Sequence, residues 1–64
     1  MKLNGQIFEL NKVISLFQFL QENKYDISRI AVQLNGDIVP KATYADIILQ
    51  AEDSIEVLSF VGGG

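Results

Sequence analysis

The sequence predicts an α+β fold in which one mixed sheet of about five short strands packs a single helix across one face. Two Asn-Gly pairs, Asn4-Gly5 and Asn35-Gly36, each lie between short segments with alternating apolar residues. Between the two pairs the apolar spacing changes to that of a helix, and a last alternating run occupies residues 54–60. Sixty-four residues make one domain, which is too small for sheets on both sides of a core.

The Asn-Gly pairs predict two β-hairpins, because both residues tolerate the positive φ that a type I′ turn requires. The first hairpin joins residues 1–3 to 6–10, and the second joins 30–34 to 37–39. Pro40 has no N–H to donate, so it should end the last of these strands. Period-two alternation predicts the inward side chains, which are Met1, Leu3, Phe8 and Leu10 in the first hairpin and Ile30, Val32, Leu34 and Val39 in the second.

A helix is predicted at about residues 16–23. Ser15 at the N-cap with Gln18 three residues later matches a capping box, and the residues flanking the cap, Ile14 and Phe19, are spaced for a hydrophobic staple.

The predicted helix has one apolar stripe, formed by Leu16, Phe19 and Leu20 at helical spacing. Asn23 is a plausible C-cap, and Lys24 complements the negative end of the helix dipole.

Residues 41–53 lack clean alternation and are interpreted as a crossover, in part a helical turn. Its apolar side chains are expected to cover an open end of the core; they are Tyr44, Ile47, Ile48 and Leu49.

Residues 54–60 predict the last strand. Ile55 and Val57 should face inward, whereas Glu56, Leu58 and Phe60 share the opposite parity and should face away from the helix. This strand is expected in the centre of the sheet, beside the first strand and in the same direction. That arrangement is the β-grasp, or ubiquitin-like, roll.

Composition excludes several classes of function. The chain contains no Cys, no His and no Trp, which excludes disulfides, metal sites built on Cys or His, and Ser-His or Cys-His catalysis. Five Lys and Arg against eight Asp and Glu give a net charge of −3, and the basic residues are scattered singly, so nucleic-acid binding is not expected. No apolar run reaches the roughly 18–20 residues of a membrane span. We expect a soluble, cytoplasmic protein, with a plastid as the alternative compartment, that is not an enzyme.

The sequence ends in three glycines, Gly62, Gly63 and Gly64. Residues 1–60 are expected to form the domain and residues 61–64 a flexible tail. Such a tail could be a frayed end, or it could thread into the active site of a partner, where the absence of Cβ atoms avoids clashes. From the tail alone the two interpretations are equal. The α-carboxylate of Gly64 is the one remaining reactive group, and a partner enzyme could convert it to an acyl-adenylate with ATP.

Four stretches follow one another over nearly the whole chain. They are Leu3-Asn-Gly5 with Phe8-Glu-Leu10, Ser15-Leu-Phe-Gln-Phe-Leu20, Ile30-Ala-Val-Gln-Leu-Asn-Gly-Asp-Ile-Val-Pro40, and Asp53-Ser-Ile-Glu-Val57 with Phe60-Val-Gly-Gly-Gly64. Together they resemble the ThiS family, the sulfur carrier proteins of thiamine biosynthesis, in the ubiquitin-like group that also includes the molybdopterin synthase small subunit. One departure is Glu52, where the family usually has Gly. If that turn needs a positive φ, Glu52 is strained by about 1 kcal/mol or more; otherwise the turn has changed type.

The resemblance implies that Gly64 is adenylated and then converted to a thiocarboxylate, with Gly62 and Gly63 as the tail that enters partner active sites. It implies three partners: an E1-like adenylyltransferase (ThiF-like) that uses ATP and Mg, a cysteine desulfurase or sulfurtransferase, and a thiazole synthase (ThiG-like) that accepts the sulfur. No cofactor is expected on the carrier itself.

Leu58 and Phe60 are predicted to form a docking patch beside the tail, since both are apolar and face outward. The alternative is that they are ordinary scattered surface residues, or that one packs on the crossover. Two other functions also remain open. One is a MoaD-like carrier for molybdopterin formation or tRNA thiolation, and the other is a ubiquitin-like interaction module whose glycine tail is accidental. The short chain and its Val61-Gly-Gly-Gly64 ending favour the thiamine branch.

Overall fold

In the computed structural model, which describes residues 1–60, one mixed sheet of five strands packs against one α-helix. The elements are β1 (Lys2–Leu3), β2 (Gln6–Ile7), α1 (Leu16–Glu22), β3 (Ile30–Leu34), β4 (Asp37–Ile38) and β5 (Ser54–Ser59), with short 3₁₀ helices at Ile27–Arg29 and Lys41–Asp46. The strand order is β2-β1-β5-β3-β4. The last strand is therefore central, and it runs parallel to β1, as predicted for a β-grasp roll.

Both predicted hairpins are confirmed. Asn4 and Asn35 have φ of 51° and 52°, and the glycines that follow them also have positive φ. The second strand of each hairpin is shorter than predicted: β2 ends at Ile7 and β4 ends at Ile38. The pairing continues for one bond beyond each strand: for example, the Phe8 N–H donates to the Met1 carbonyl at 2.8 Å.

The start of α1 follows the sequence prediction. The Ser15 hydroxyl oxygen accepts a hydrogen bond from the Gln18 N–H at 3.1 Å, which satisfies one of the free donors of the first turn. Leu16, Phe19 and Leu20 are buried against the sheet, so the predicted apolar stripe is the inner face of the helix.

The end of α1 is a Schellman motif built on a lysine. Asn23 is the C-cap, as predicted, and Lys24 follows it with φ of 63°. The Lys24 N–H donates to the Gln21 carbonyl and the Tyr25 N–H to the Leu20 carbonyl, each at 3.0 Å, which is the bond pair that defines the motif. The sequence predicts only an electrostatic role for Lys24, and its left-handed backbone is a finding of the structure.

The crossover closes the core with a 3₁₀ helix and a short extended segment. Tyr44 and Leu49 are buried as predicted, and Ile47 packs against the core from its edge. The prediction for Ile48 was wrong, since its side chain is 46% exposed. The cause is a bridge between Ser15 and Ile48: alternation directs the side chains on either side of Ile48 inward and leaves Ile48 itself outside.

The turn before β5 does not place Glu52 in the left-handed conformation. Among residues 1–60, the non-glycine residues with positive φ are Asn4, Lys24 and Asn35, so Glu52 is not strained. The Asp53 N–H donates to the Gln50 carbonyl at 3.1 Å, which closes a turn that does not require glycine.

One core lies between α1 and the inner face of the sheet. Its buried apolar members are Ile14, Leu16, Phe19, Leu20, Ile30, Val32, Val39, Tyr44, Leu49, Ile55 and Val57. Phe8 closes one side of this core by packing edge-to-face on Phe19, with ring centroids 5.1 Å apart. In the described part of the chain, no helix is long and apolar enough to cross a membrane.

Candidate functional site

The candidate site lies on the outer face of the sheet, which is the face turned away from α1. Strand register places Ile7 opposite Lys2, Ile38 opposite Gln33 and Leu58 opposite Ala31 on this face. Ile7, Ile38, Leu58 and Phe60 are exposed by 87%, 68%, 50% and 59%. Four of the six large exposed apolar side chains of residues 1–60 are therefore on or next to one sheet face.

Leu58 and Phe60 lie where the sequence predicted them, on the outer side of the central strand and its extension. We call these two residues the outer patch. Ile38 lies on the same face but is not part of the patch, because it pairs with Gln33 and is therefore aligned with Glu56 rather than with Leu58.

The base of the C-terminal segment is fixed by a backbone hydrogen bond. The Phe60 N–H donates to the Arg29 carbonyl at 2.8 Å, one residue beyond β5. This bond extends the pairing of β5 with β3, which already runs over five residue pairs to Ser59. Gly62, Gly63 and Gly64, the predicted tail and reaction site, lie outside the described residues.

Asn4 holds β5 from the β1 side. The Asn4 N–H donates to the Ile55 carbonyl at 2.8 Å, and the Asn4 side-chain Oδ1 accepts from the Val57 N–H at 2.7 Å. Since β1 has only two residues and β5 has six, the Asn4 amide continues the pairing after β1 has ended.

Asn35 holds the start of β5 from the β3 side. Its Oδ1 accepts from the Ser54 N–H at 2.9 Å, and its Nδ2 donates to the Asp53 carboxylate at 3.0 Å. The buried Asp53 also accepts from the Gln50 N–H at 2.8 Å. Sequence reasoning gave both asparagines a role in turn geometry alone. Their use as side-chain partners of β5 depends on long-range pairing that no local pattern contains.

The charged groups of the described residues form two ion pairs, and both are at the surface. The ion pairs are Lys12–Glu22 at 2.9 Å and Asp26–Arg29 at 3.5 Å, and all four side chains are more than half exposed. Hydrogen bonds from the Ser28 side chain and backbone hold the pKa of Asp26 below its ordinary value. Within residues 1–60, no three acidic side chains converge as a metal site would require.

Comparison with known proteins identifies the family. The model of the ThiS family matches residues 1–64, which is the whole chain. The chain belongs to the ThiS family. This membership supports a sulfur carrier in thiamine biosynthesis.

The similar proteins are of two kinds. An uncharacterized protein, ycf40, from Pyropia yezoensis is 35% identical over 63 residues, which cover 98% of this chain and 89% of that protein. A thiazole synthase from Paramagnetospirillum magneticum is 32% identical over 62 residues, which cover 97% of this chain but only 19% of the longer protein. The ThiS-family chain thus corresponds to a minor part of that synthase.

Solved structures agree with the fold of this ThiS-family member. The crystal structure of the thiamine biosynthesis protein ThiS from Geobacter metallireducens aligns with a TM-score of 0.78 at 21% identity, covering 98% of this chain and 96% of that one. The solution structure of a thiamine biosynthesis protein from the same organism has the same TM-score at 23% identity. At these identities the likeness establishes the β-grasp fold.

Proposed function

We propose that the Gly64 carboxylate is the working group of this chain, and that partner enzymes carry out all of the chemistry on it. An E1-like adenylyltransferase would join the carboxylate to the AMP portion of Mg-ATP and release pyrophosphate. A sulfur nucleophile, delivered as a persulfide by a cysteine desulfurase or sulfurtransferase, would then displace AMP. The terminal sulfur of the persulfide would thereby bond to the Gly64 carbonyl carbon in an acyl disulfide. A second thiol would cleave its sulfur–sulfur bond by forming a disulfide with the donor sulfur, and the chain would be left with a C-terminal thiocarboxylate.

The observation that carries this proposal is the fixed base of the glycine-rich segment. Phe60 is bonded to Arg29 one residue beyond the central strand, and four residues remain after it, three of them glycine. Four extended residues span at most about 13–14 Å. That length, with three residues lacking a Cβ, suits passage through a narrow channel into another protein.

The outer patch is the proposed docking surface for the partners. Leu58 and Phe60 come just before the tail and are 50% and 59% exposed. Covering them would recover hydrophobic free energy at about 25 cal/mol per Å² of apolar area removed from water. Because Leu58 and Phe60 come just before the tail in the sequence, binding at the patch would also aim the tail.

A thiazole synthase is the proposed sulfur acceptor. Two thiazole synthases, from Paramagnetospirillum magneticum and Magnetococcus marinus, each contain a segment similar to nearly the whole of this chain within a single polypeptide. A carrier and an acceptor that work together benefit from linkage, since linkage raises their effective concentration. The compartment stays a prediction: the cytoplasm, or a plastid.

ATP–pyrophosphate exchange with an E1-like adenylyltransferase tests the proposed site. The complete chain should support exchange, whereas a chain lacking Gly64 should not, because the penultimate carboxylate would fall short of the nucleotide. Equal exchange by the two chains would exclude the Gly64 carboxylate as the adenylated group.

A further inference from the structure

We propose that Glu56 is the specificity-determining residue of the docking surface, and that the adenylating partner pairs it with a Lys or Arg side chain. This inference rests on the proposed function, because it names the chemistry of the partner that covers the outer patch. Glu56 lies on the outer face of β5, two residues before Leu58 and about 7 Å from it along the strand.

Glu56 has no structural task within residues 1–60. It is exposed, and the hydrogen bonds and ion pairs of the described residues do not include its carboxylate. Its cross-strand neighbour on β3 is the neutral Gln33. On the other side, Lys2 pairs with Ser54 and lies within 4.0 Å of no carboxylate among these residues.

Strand positions favour β-branched and aromatic residues, and Glu is mildly depleted there. Among the exposed carboxylates of residues 1–60, that of Glu56 is the one on the central strand, two residues before Leu58. This position beside exposed apolar side chains is what points to a contact with the partner.

Docking on the outer patch would bring Glu56 out of bulk water. A partner that covers Leu58 and Phe60 must also come close to the Glu56 carboxylate, because Glu56 is two residues from Leu58 on the same face of β5. A carboxylate that loses its hydration needs a positive partner to offset the cost. A cation opposite Glu56 would satisfy this need, and it would also reject carriers of the same fold that lack the negative charge.

The test compares adenylation of three variants by an E1-like adenylyltransferase with Mg-ATP. Glu56→Lys should raise the KM for the carrier by at least about tenfold with kcat nearly unchanged, and Glu56→Gln should raise it by a smaller factor. Asp46→Lys is the matched control: it makes the same change in net charge at an exposed site on the crossover. Its KM should stay within about twofold of the original value.

The outcomes separate this inference from the function on which it rests. If the unmodified chain is adenylated but Glu56→Lys and Asp46→Lys change KM equally, only general attraction between opposite charges acts, and the pairing at Glu56 is wrong. An unchanged KM in both Glu56 variants overturns it as well. If the unmodified chain is not adenylated at all, the proposed function itself fails. Circular dichroism verifies that each variant is folded. If Glu56→Lys does not fold, the KM of Glu56→Gln decides the test.

Discussion

At the residue scale, Asn4 combines two properties that are rarely needed at one position. Its backbone adopts the left-handed conformation of the turn, and its side chain accepts the Val57 N–H at 2.7 Å. Val57 is buried, so that N–H would lack a partner without the Asn4 side chain. Glycine could supply the turn conformation but not the acceptor.

We therefore predict that Asn4→Gly lowers the free energy of unfolding by about 1–2 kcal/mol, because it leaves a buried donor unsatisfied. Asn4→Asp should be close to neutral, since Asp tolerates the same conformation and keeps an acceptor oxygen. Urea denaturation of the two variants measures the difference. Equal stability of Asn4→Gly and the unmodified chain would mean that water replaces the side chain without loss.

Lys24 adopts a left-handed backbone conformation that residues with a Cβ rarely adopt. Its φ of 63° costs about 1–2 kcal/mol for a residue with a Cβ, and glycine avoids that cost while losing some backbone entropy. Lys24→Gly should therefore stabilise the protein by about 0.5–1 kcal/mol in the same denaturation experiment. Lys24→Ala is the control, because it removes the charge and keeps the strain; stabilisation by both variants would attribute the effect to the charge instead.

At the scale of elements, β5 connects the fold to the function. Its inner side chains, Ile55 and Val57, are part of the core, and its outer side chains form the exposed surface beside the tail. Alternation therefore allows the outer residues to change without disturbing the core. This separation makes the docking surface testable by substitution.

We expect Leu58→Ser and Phe60→Ser each to raise the KM for adenylation at least several-fold, because each variant removes apolar area from the proposed interface. The stability of both variants should change little, since both side chains are at least half exposed. Val13→Ser is the matched control: Val13 is 86% exposed and lies in the loop before α1. If the two patch variants and the control share the KM of the unmodified chain, the outer patch is not where the enzyme docks.

The elements also indicate how far sequence reasoning reaches. Both hairpins and the start of α1 were predictable because their signals are local: two Asn-Gly pairs, and Ser15 with Gln18. The exposure of Ile48 was not, because it depends on a bridge to Ser15, 33 positions away (48 − 15), that alternation within the segment does not encode. The candidate site divides in the same way. Alternation placed Leu58 and Phe60 on the outer face, whereas the two asparagine contacts to β5 arise only after the strands have assembled.

At the scale of the whole molecule, one buried polar group affects the response to pH. Tyr44 is buried in the core, and its hydroxyl has no hydrogen-bond partner among residues 1–60. Burial raises the pKa of the Tyr44 phenol above the ordinary value of 10.0, and the nearby backbone of Val32 opposes part of that shift. The folded state therefore favours the neutral phenol.

The sign of the effect follows from linkage. Because the folded-state pKa of Tyr44 is the higher one, its contribution to stability is complete below pH 10.0 and is lost as pH rises through the folded-state value. Tyr44→Phe should be about as stable as the unmodified chain at pH 7, because the lost hydroxyl has no partner. Above pH 10.0 the variant should lose less stability than the unmodified chain. Thermal unfolding across this range measures both, and parallel curves would contradict the assignment.

We propose that this small domain presents the carboxylate of Gly64 to partner enzymes. Intact-mass spectrometry tests it most directly, after incubation with an E1-like adenylyltransferase, Mg-ATP, a persulfide source and a thiol reductant. Replacement of one terminal oxygen by sulfur should raise the mass by about 16 Da, and omission of ATP or deletion of Gly64 should abolish the shift. An unshifted mass for the complete chain, under conditions in which a known carrier is thiolated by its own enzyme, would contradict the account.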